Sequence, residues 1–216
     1  MGITGEETKR EVLRKIKRFW KRFWYIIWED ESLLGWVISL AFAFLVIKFI
    51  FFPSLGLVLG TKMPLVVVES GSMHHPGSFL FNYFGSDKLV TEWWQVAGKW
   101  YEERGIDFNE TFNWSLRNGL EIGDVILVVK ARNIELGDII IFEANQRHPV
   151  IHRVINISEV NNRTVYSTKG DNNPAQLFVE TRIPEDAIIG QAVFRIPMVG
   201  WVKLIFVKLL DVVVRR

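Results

Sequence analysis

"VVVESGSMHHP", residues 66–76, decides how the rest of the chain is read. Its run of β-branched valines asks for a strand, and the Ser-Gly-Ser-Met that follows asks for a turn. A serine held beside a glycine at the end of a strand presents its hydroxyl at an exposed edge. That hydroxyl is either an ordinary turn group or a nucleophile, and the flanking sequence has to separate the two.

Upstream lies "LLGWVISLAFAFLVIKFIFF", Leu33 to Phe52, interrupted only by Lys48. At about 1.5 Å per residue this stretch reaches about 30 Å, the thickness of a bilayer's hydrocarbon core. It predicts a retained transmembrane anchor over residues 32–53. A cleaved signal peptide would have a shorter apolar region and a small-residue cleavage site, whereas "FIFFPSLGLVLGTKMP" is bulky. Residues 1–31 form a basic, Trp-rich segment carrying Lys9, Arg10, Arg14, Lys15, Lys17, Arg18, Lys21 and Arg22. Basic residues ahead of the anchor and mixed charges after it predict a cytoplasmic amino terminus and an extracytoplasmic remainder, a single-pass protein of the cell membrane. Trp20, Trp24 and Trp28 recur at four-residue steps, which fits a helix lying in the membrane interface; a basic stalk continuing the anchor fits equally.

Composition agrees. The hydrophobic share is 49% of 216 residues, rich for a purely soluble chain, and the net charge is only +2. The clustered bases have no matching basic fold, so a membrane surface is the expected partner and nucleic acid is not. With no cysteine, a thiol nucleophile, a disulfide framework and a Cys-based zinc site are excluded.

Residues 54–199 read as a mainly β domain of short β-branched runs bounded by turn residues: "PLVVVES", "GDVILVVKA", "LGDIIIFEAN", "HPVIHRVINISEV", "RTVYSTKGD" and "AIIGQAVFRIP". Gly123-Asp124 and Gly137-Asp138 supply the positive φ angles of tight turns. Residues 77–121 break the pattern. "DKLVTEWWQVAGKWYEER" has helical spacing and stops before Gly105, which predicts a helical insertion. In residues 200–216, Lys203, Lys208 and Asp211 fall within an arc of about 140°, the mark of an amphipathic helix at the membrane. Asn109, Asn113, Asn156 and Asn162 head Asn-x-Ser/Thr sequons, compatible with an exterior domain.

A serine hydroxyl needs a base to become a nucleophile. Among the four histidines, His152 interrupts an apolar strand in "PVIHRVINI", and Asp171 in "STKGDNN" follows a glycine in a turn from which it can orient an imidazole. His74, His75 and His148 lack the helical spacing of a zinc site, and no metal or cofactor is expected; the adjacent His74 and His75 read as exposed turn residues.

The ordered set "SGSM", "GDIIIF", "IHRVI" and "KGDNN" behind a membrane anchor resembles type I signal peptidases of the archaeal and endoplasmic-reticulum type, over the anchor and nearly all of residues 64–203. The resemblance implies a β fold of the signal-peptidase kind with an N-terminal transmembrane helix. It implies a serine endopeptidase with Ser72 as nucleophile, His152 as base and Ser70 as oxyanion donor. It implies as partners preproteins with N-terminal signal peptides and membrane lipid, with the protein-translocation machinery a further candidate. The chain departs from the pattern at Leu177, where relatives carry the third member of the triad. Asp171 is then the expected orienting acid, with Glu180 and Asp186 as alternatives. The other departure is the 77–121 insertion with Trp93, Trp94 and Trp100, readable as a lipid-facing paddle, a substrate gate or a partner surface. A non-catalytic, membrane-anchored scaffold descended from such an enzyme is the competing reading.

Overall fold

The computed structural model describes residues 5–76, 87–144, 146 and 148–214, and it divides into two compact units, residues 1–55 and 56–216.

In the first unit, helix α1 (Gly5–Trp28) and helix α2 (Leu33–Val46) form a hairpin. Ser32 caps α2 by accepting from the Gly35 N–H at 3.0 Å. Ser39 Oγ donates to the Ile27 carbonyl at 2.8 Å, and the Phe23 and Phe42 rings meet edge to face at 5.4 Å. The Trp-rich segment therefore folds back on the apolar helix, and the interruption of the helix at Glu29–Glu31 removes the continuous stalk.

The apolar helical run extends from Leu33 through helix α3 (Phe52–Leu59), longer than the sequence reading, and is long and apolar enough to cross a bilayer. Pro53 sits inside it because the preceding Ile47–Phe51 turn is a π-helix, with the Phe52 N–H donating to the Ile47 carbonyl. Proline removes an N–H and crowds the carbonyl four residues back, and a wider turn relieves both.

The second unit is built on a seven-stranded antiparallel sheet in the order β1-β2-β7-β3-β4-β5-β6. The strands are β1 (Leu65–Val67), β2 (Val125–Val129), β3 (Ile139–Phe142), β4 (Val150–Val160), β5 (Arg163–Lys169), β6 (Ile183–Pro184) and β7 (Ile188–Ile196). The two-residue β6 is too short to leave a pattern in the sequence. β4 and β5 form a hairpin through Asn161 and Asn162, whose φ angles of 52° and 62° give the primed turn that matches strand twist.

Both Gly-Asp turns use one device. The Asp124 and Asp138 carboxylates accept from the Glu121 and Glu135 N–H groups at 2.7 and 2.8 Å, while Gly123 and Gly137 take φ angles of 89° and 90°. These turns launch β2 and β3.

Strand alternation sorts the core onto the two sheet faces. Ile139 and Ile141 pack with Val68, Met73, Leu120 and Ile126, whereas Ile140 and Phe142 pack with Val154, Tyr166 and Ile183. All of β3 is buried because both faces are covered.

Between β1 and β2 the chain forms helix α4 (Asp87–Glu102) and helix α5 (Phe108–Thr111). The expected insertion thus contains two helices joined and followed by turns, while its residues 77–86 lie outside the described residues. Trp93, Tyr101, Ile106, Trp114 and Ile155 make a buried aromatic cluster, with Trp94 and Trp100 packed against it. Trp93 is buried in it, and Trp94 and Trp100 are half-buried at its margin. Helix α6 (Trp201–Val214) ends the described chain, with Val202, Ile205, Phe206 and Leu209 exposed and Lys203 paired to Glu69 at 2.9 Å.

Gly137 has no room for a side chain, since an added Cβ would lie 2.1 Å from the Trp114 ring. Gly137→Ala combines that clash with left-handed strain of about 1–2 kcal/mol. It is expected to lower the thermal unfolding midpoint in detergent by several degrees or more, read by circular dichroism; an unchanged midpoint would show that α5 and the following loop are not held on the sheet by this contact.

Candidate functional site

The quoted turn and the "KGDNN" turn meet in space. The Asn172 N–H donates to the Ser72 carbonyl at 2.8 Å, Asn172 Nδ2 donates to the Gly71 carbonyl at 3.0 Å, and the Asp171 N–H points at Met73 Sδ at 3.5 Å. Gly170 is the point of closest approach. A Cβ there would lie 2.7 Å from His152 Nε2 and 2.9 Å from the Ser72 carbonyl oxygen, so only glycine lets the histidine ring and the serine backbone converge. Ser72 is partly buried and Ser70 exposed, with their hydroxyl oxygens 3.2 Å apart.

His152 is 5% exposed and pairs across the sheet with Ile140. Its Nδ1 bonds to Glu180 Oε1, leaving Nε2 toward Gly170 and the Ser72 turn. Glu180 is fully buried at the end of a one-turn 3₁₀ helix, Phe178–Glu180, and its Oε2 accepts from the Leu177 N–H at 2.6 Å.

The expectation that Asp171 orients His152 is corrected here. His152 and Arg153 are successive residues on β4, so they point to opposite faces of the sheet. Asp171 lies on the Arg153 face. Arg153 Nη2 and Nε donate to its carboxylate at 2.6 and 2.9 Å, and His75 Nε2 meets it at 2.9 Å. Asp186, the other alternative, is exposed and lines a separate cleft of about 320 Å³ beside Gly60, Lys130 and Glu185. The carboxylate that reaches His152 is Glu180.

Beneath the turns is a buried polar stack that the sequence reading missed. His75 is 0% exposed, contrary to an exposed turn histidine, and its ring stacks on Trp93 at 4.5 Å. Trp93 Nε1 donates to the Asp171 carbonyl at 3.1 Å, and the Arg153 guanidinium lies 5.1 Å from the Trp114 ring. Burial alone would raise the Asp171 carboxyl, but the Arg153 charge and the His75 and Arg153 hydrogen bonds outweigh it and hold the group well below the usual carboxylate range. Removing one partner of such a buried pair typically costs about 3–5 kcal/mol. Lys169, also buried, donates to the Gly170 carbonyl at 3.0 Å and faces the Trp100 and Tyr101 rings; burial pushes its pKa down to about 8.

His74, the neighbour of His75, is instead bonded to Glu121 at 2.8 Å, and His148 is exposed. Among the described residues, no cluster of three or more His, Asp or Glu could hold a metal ion.

The arrangement can do acid–base chemistry. The His152 imidazole, its Nδ1 held by the buried Glu180 carboxylate, presents Nε2 beside Gly170 and the Ser72 backbone, while the Ser72 hydroxyl meets the Ser70 hydroxyl; a histidine so held is equipped to take up a proton. The Ser72 N–H has no acceptor among the described residues, so it is available to a developing negative charge. No protein-family model matches the chain, and no curated protein matches it significantly.

Burial lowers the pKa of His75 against the opposing pull of Asp171, with Arg153 and His74 adding in the lowering direction. A depressed histidine pKa contributes stability above the unfolded value of about 6.5, and that stability is lost as pH falls, because the unfolded chain then binds the proton more readily. His75→Gln keeps a donor for Asp171 but cannot titrate. Between pH 6.5 and 5 the wild type should therefore lose more unfolding free energy than the variant, by up to about 1.4 kcal/mol per pH unit. Parallel pH dependences in chemical denaturation would show that His75 does not fold in its neutral form.

Proposed function

We propose that this chain is a membrane-anchored serine endopeptidase of the type I signal peptidase kind, which removes signal peptides at the outer face of the cytoplasmic membrane. The observation that carries the proposal is the convergence of the Ser72 turn, His152 Nε2 and Gly170, with Glu180 holding His152 Nδ1.

In this reading Ser72 Oγ attacks the scissile carbonyl while His152 Nε2 takes its proton, then returns that proton to the leaving amine. Water repeats the sequence to hydrolyse the acyl-enzyme. Glu180 fixes the tautomer and balances the imidazolium charge. The Ser72 N–H and the Ser70 hydroxyl hold the oxyanion. Among the described residues strand β1 lies at one end of the sheet, beside β2, so an extended substrate can add to residues 64–68. The bilayer-length helix supports an anchor. The Lys- and Arg-rich segment ahead of it supports a cytoplasmic amino terminus.

Purified full-length chain in detergent should cleave a preprotein bearing a signal peptide, and Ser72→Ala should abolish cleavage without changing the circular dichroism spectrum. Wild-type processing by that variant would remove Ser72 from the mechanism and favour a scaffold. Ser70→Ala should slow turnover by about 10- to 1000-fold, since the main-chain donor remains.

Glu180→Gln presents an amide to His152 Nδ1, favours the wrong tautomer and should lower kcat by 100-fold or more, whereas Asp186→Asn should change little. Similar rates for Glu180→Gln and wild type, measured on the same preprotein, would leave Ser72 and His152 acting as a dyad.

A further inference from the structure

We propose that the cleft at the end of the bilayer-length helix binds the headgroup of a zwitterionic phospholipid, its phosphate on a basic wall and its primary ammonium on an acidic one. The inference rests on the membrane anchor and is independent of the endopeptidase reading.

The chain itself fixes where the cleft lies. Helix α3 ends at Leu59, Gly60 takes a φ of 66°, and the Thr61 N–H donates back to the Gly56 carbonyl at 3.1 Å, a glycine-terminated helix end. That end is stitched to the sheet. The Lys130 N–H donates to the Leu59 carbonyl at 2.7 Å, Thr61 Oγ1 donates to the Ile189 carbonyl at 2.9 Å, and a Cβ on Gly60 would lie 3.1 Å from Lys130 Cβ. Gly60, Thr61 and Lys62 then line the cleft of about 320 Å³. The helical run of 27 residues is about 40 Å long at about 1.5 Å per residue. That exceeds the hydrocarbon core of about 30 Å and matches a bilayer with its headgroups. A cleft that begins at the residue after this run therefore lies at headgroup depth.

Strand order divides the charges in the cleft. It sits at the ends of β2, β7 and β3, which are neighbours in the sheet. Lys130 and Arg132 follow β2 and Lys62 precedes β1, on one side; Glu185 and Asp186 precede β7 and Glu143 follows β3, on the other. The Glu143 N–H donates to the Ala187 carbonyl at 3.0 Å, which keeps the acids together. Burial raises the pKa of Tyr166 in the cleft lining and the Glu185 charge adds to it, so Glu185 stands close to this tyrosine. None of the six charged side chains has an ion-pair or hydrogen-bond partner among the described residues. Opposite charges that line one small cavity without pairing to each other suit a ligand that carries both signs.

A phosphodiester bearing a primary ammonium is such a ligand, with charge-assisted hydrogen bonds at each end. The volume is at the lower end of small-molecule sites, roughly 300–1,000 Å³, which fits a headgroup without its acyl chains. An anion alone would face the acids unbalanced, and the three carboxylates do not converge as metal ligands do. An extended polypeptide finds no edge here, because β2, β7 and β3 are each paired on both sides.

The test uses the full chain in nonionic detergent, mixed with equal amounts of phosphatidylethanolamine, phosphatidylcholine and phosphatidylglycerol, and native mass spectrometry reads which lipid is retained. Phosphatidylethanolamine should be retained about tenfold or more over the other two, since one has a quaternary ammonium without N–H donors and the other has no cation. Glu185→Gln with Asp186→Asn should erase its advantage over phosphatidylglycerol, and Lys130→Gln with Arg132→Gln should lower its retention about tenfold. Equal retention of the three lipids, or preferences unchanged in both double variants, would show lipid held around the apolar helix and overturn the cleft. Water-soluble glycerophosphoethanolamine that displaces the lipid at equal concentration would make the ligand a free phosphodiester and overturn the lipid assignment. A chain that fails to float with liposomes would remove the anchor, and the headgroup site with it.

Discussion

The site depends on one buried ion pair. Arg153 and Asp171 are both inaccessible to solvent, and their bidentate contact ties the middle of β4 to the turn that follows β5. That turn is what seats Gly170 against His152 and gives the Ser72 carbonyl its N–H donor. Without Arg153, the Asp171 charge would sit uncompensated in a low-dielectric interior, and the turn would be left to the contacts made by His75, Trp93 and Asn172. The tryptophans of the helical insertion complete the enclosure: Trp93 covers His75 and caps the Asp171 carbonyl, and Trp114 lies over the guanidinium. An insertion that looks peripheral in the chain order is thus the wall of the polar stack beneath the serine turn.

Strand geometry divides the labour between two acids. Because successive side chains on β4 alternate, His152 and Arg153 cannot share a carboxylate on one face. Asp171 therefore secures the architecture, and Glu180 addresses the imidazole from the other side. Glu180 gets there through a short 3₁₀ turn that returns its carboxylate to the Leu177 N–H, three residues back. Leu177 has no hydroxyl, so the Ser/Thr-x-x-Glu pattern that marks such a turn in a sequence is missing here.

Much of the frame was readable from pattern. Runs of β-branched residues marked six strands, the Gly-Asp pairs marked the positive-φ turns, and the helical spacing of residues 87–104 marked α4. These are local properties, set by neighbours in sequence. The chemistry of His75, Arg153 and Lys169 is not local. His75 looks like a turn residue until Asp171, far along the chain, comes to lie against it, and Lys169 looks like the end of an amphipathic strand until Trp100 and Tyr101 enclose it. Burial of a polar group is decided by its distant partner, so Asp171 and Glu180 could be named as candidates from sequence but not assigned to faces. The apolar stretch bounds the anchor at residues 32–53, whereas the helical run continues past Pro53 to Leu59 behind the π-turn at Ile47–Phe51, a backbone feature with no signature in the apolar pattern.

Strand β1 is only three residues long. An open sheet edge is a standing hazard, because its unpaired N–H and C=O groups can template pairing with any other extended chain. A three-residue edge offers too few backbone hydrogen bonds, each worth about 0.5–1.5 kcal/mol net, to hold a second copy of the protein for long. The same brevity limits how tightly any guest strand can adhere, so pairing at this edge is transient. Resistance to edge-to-edge aggregation thus follows from a single property of the fold, the end of β1 at Val67, ahead of the turn at Ser70–Ser72.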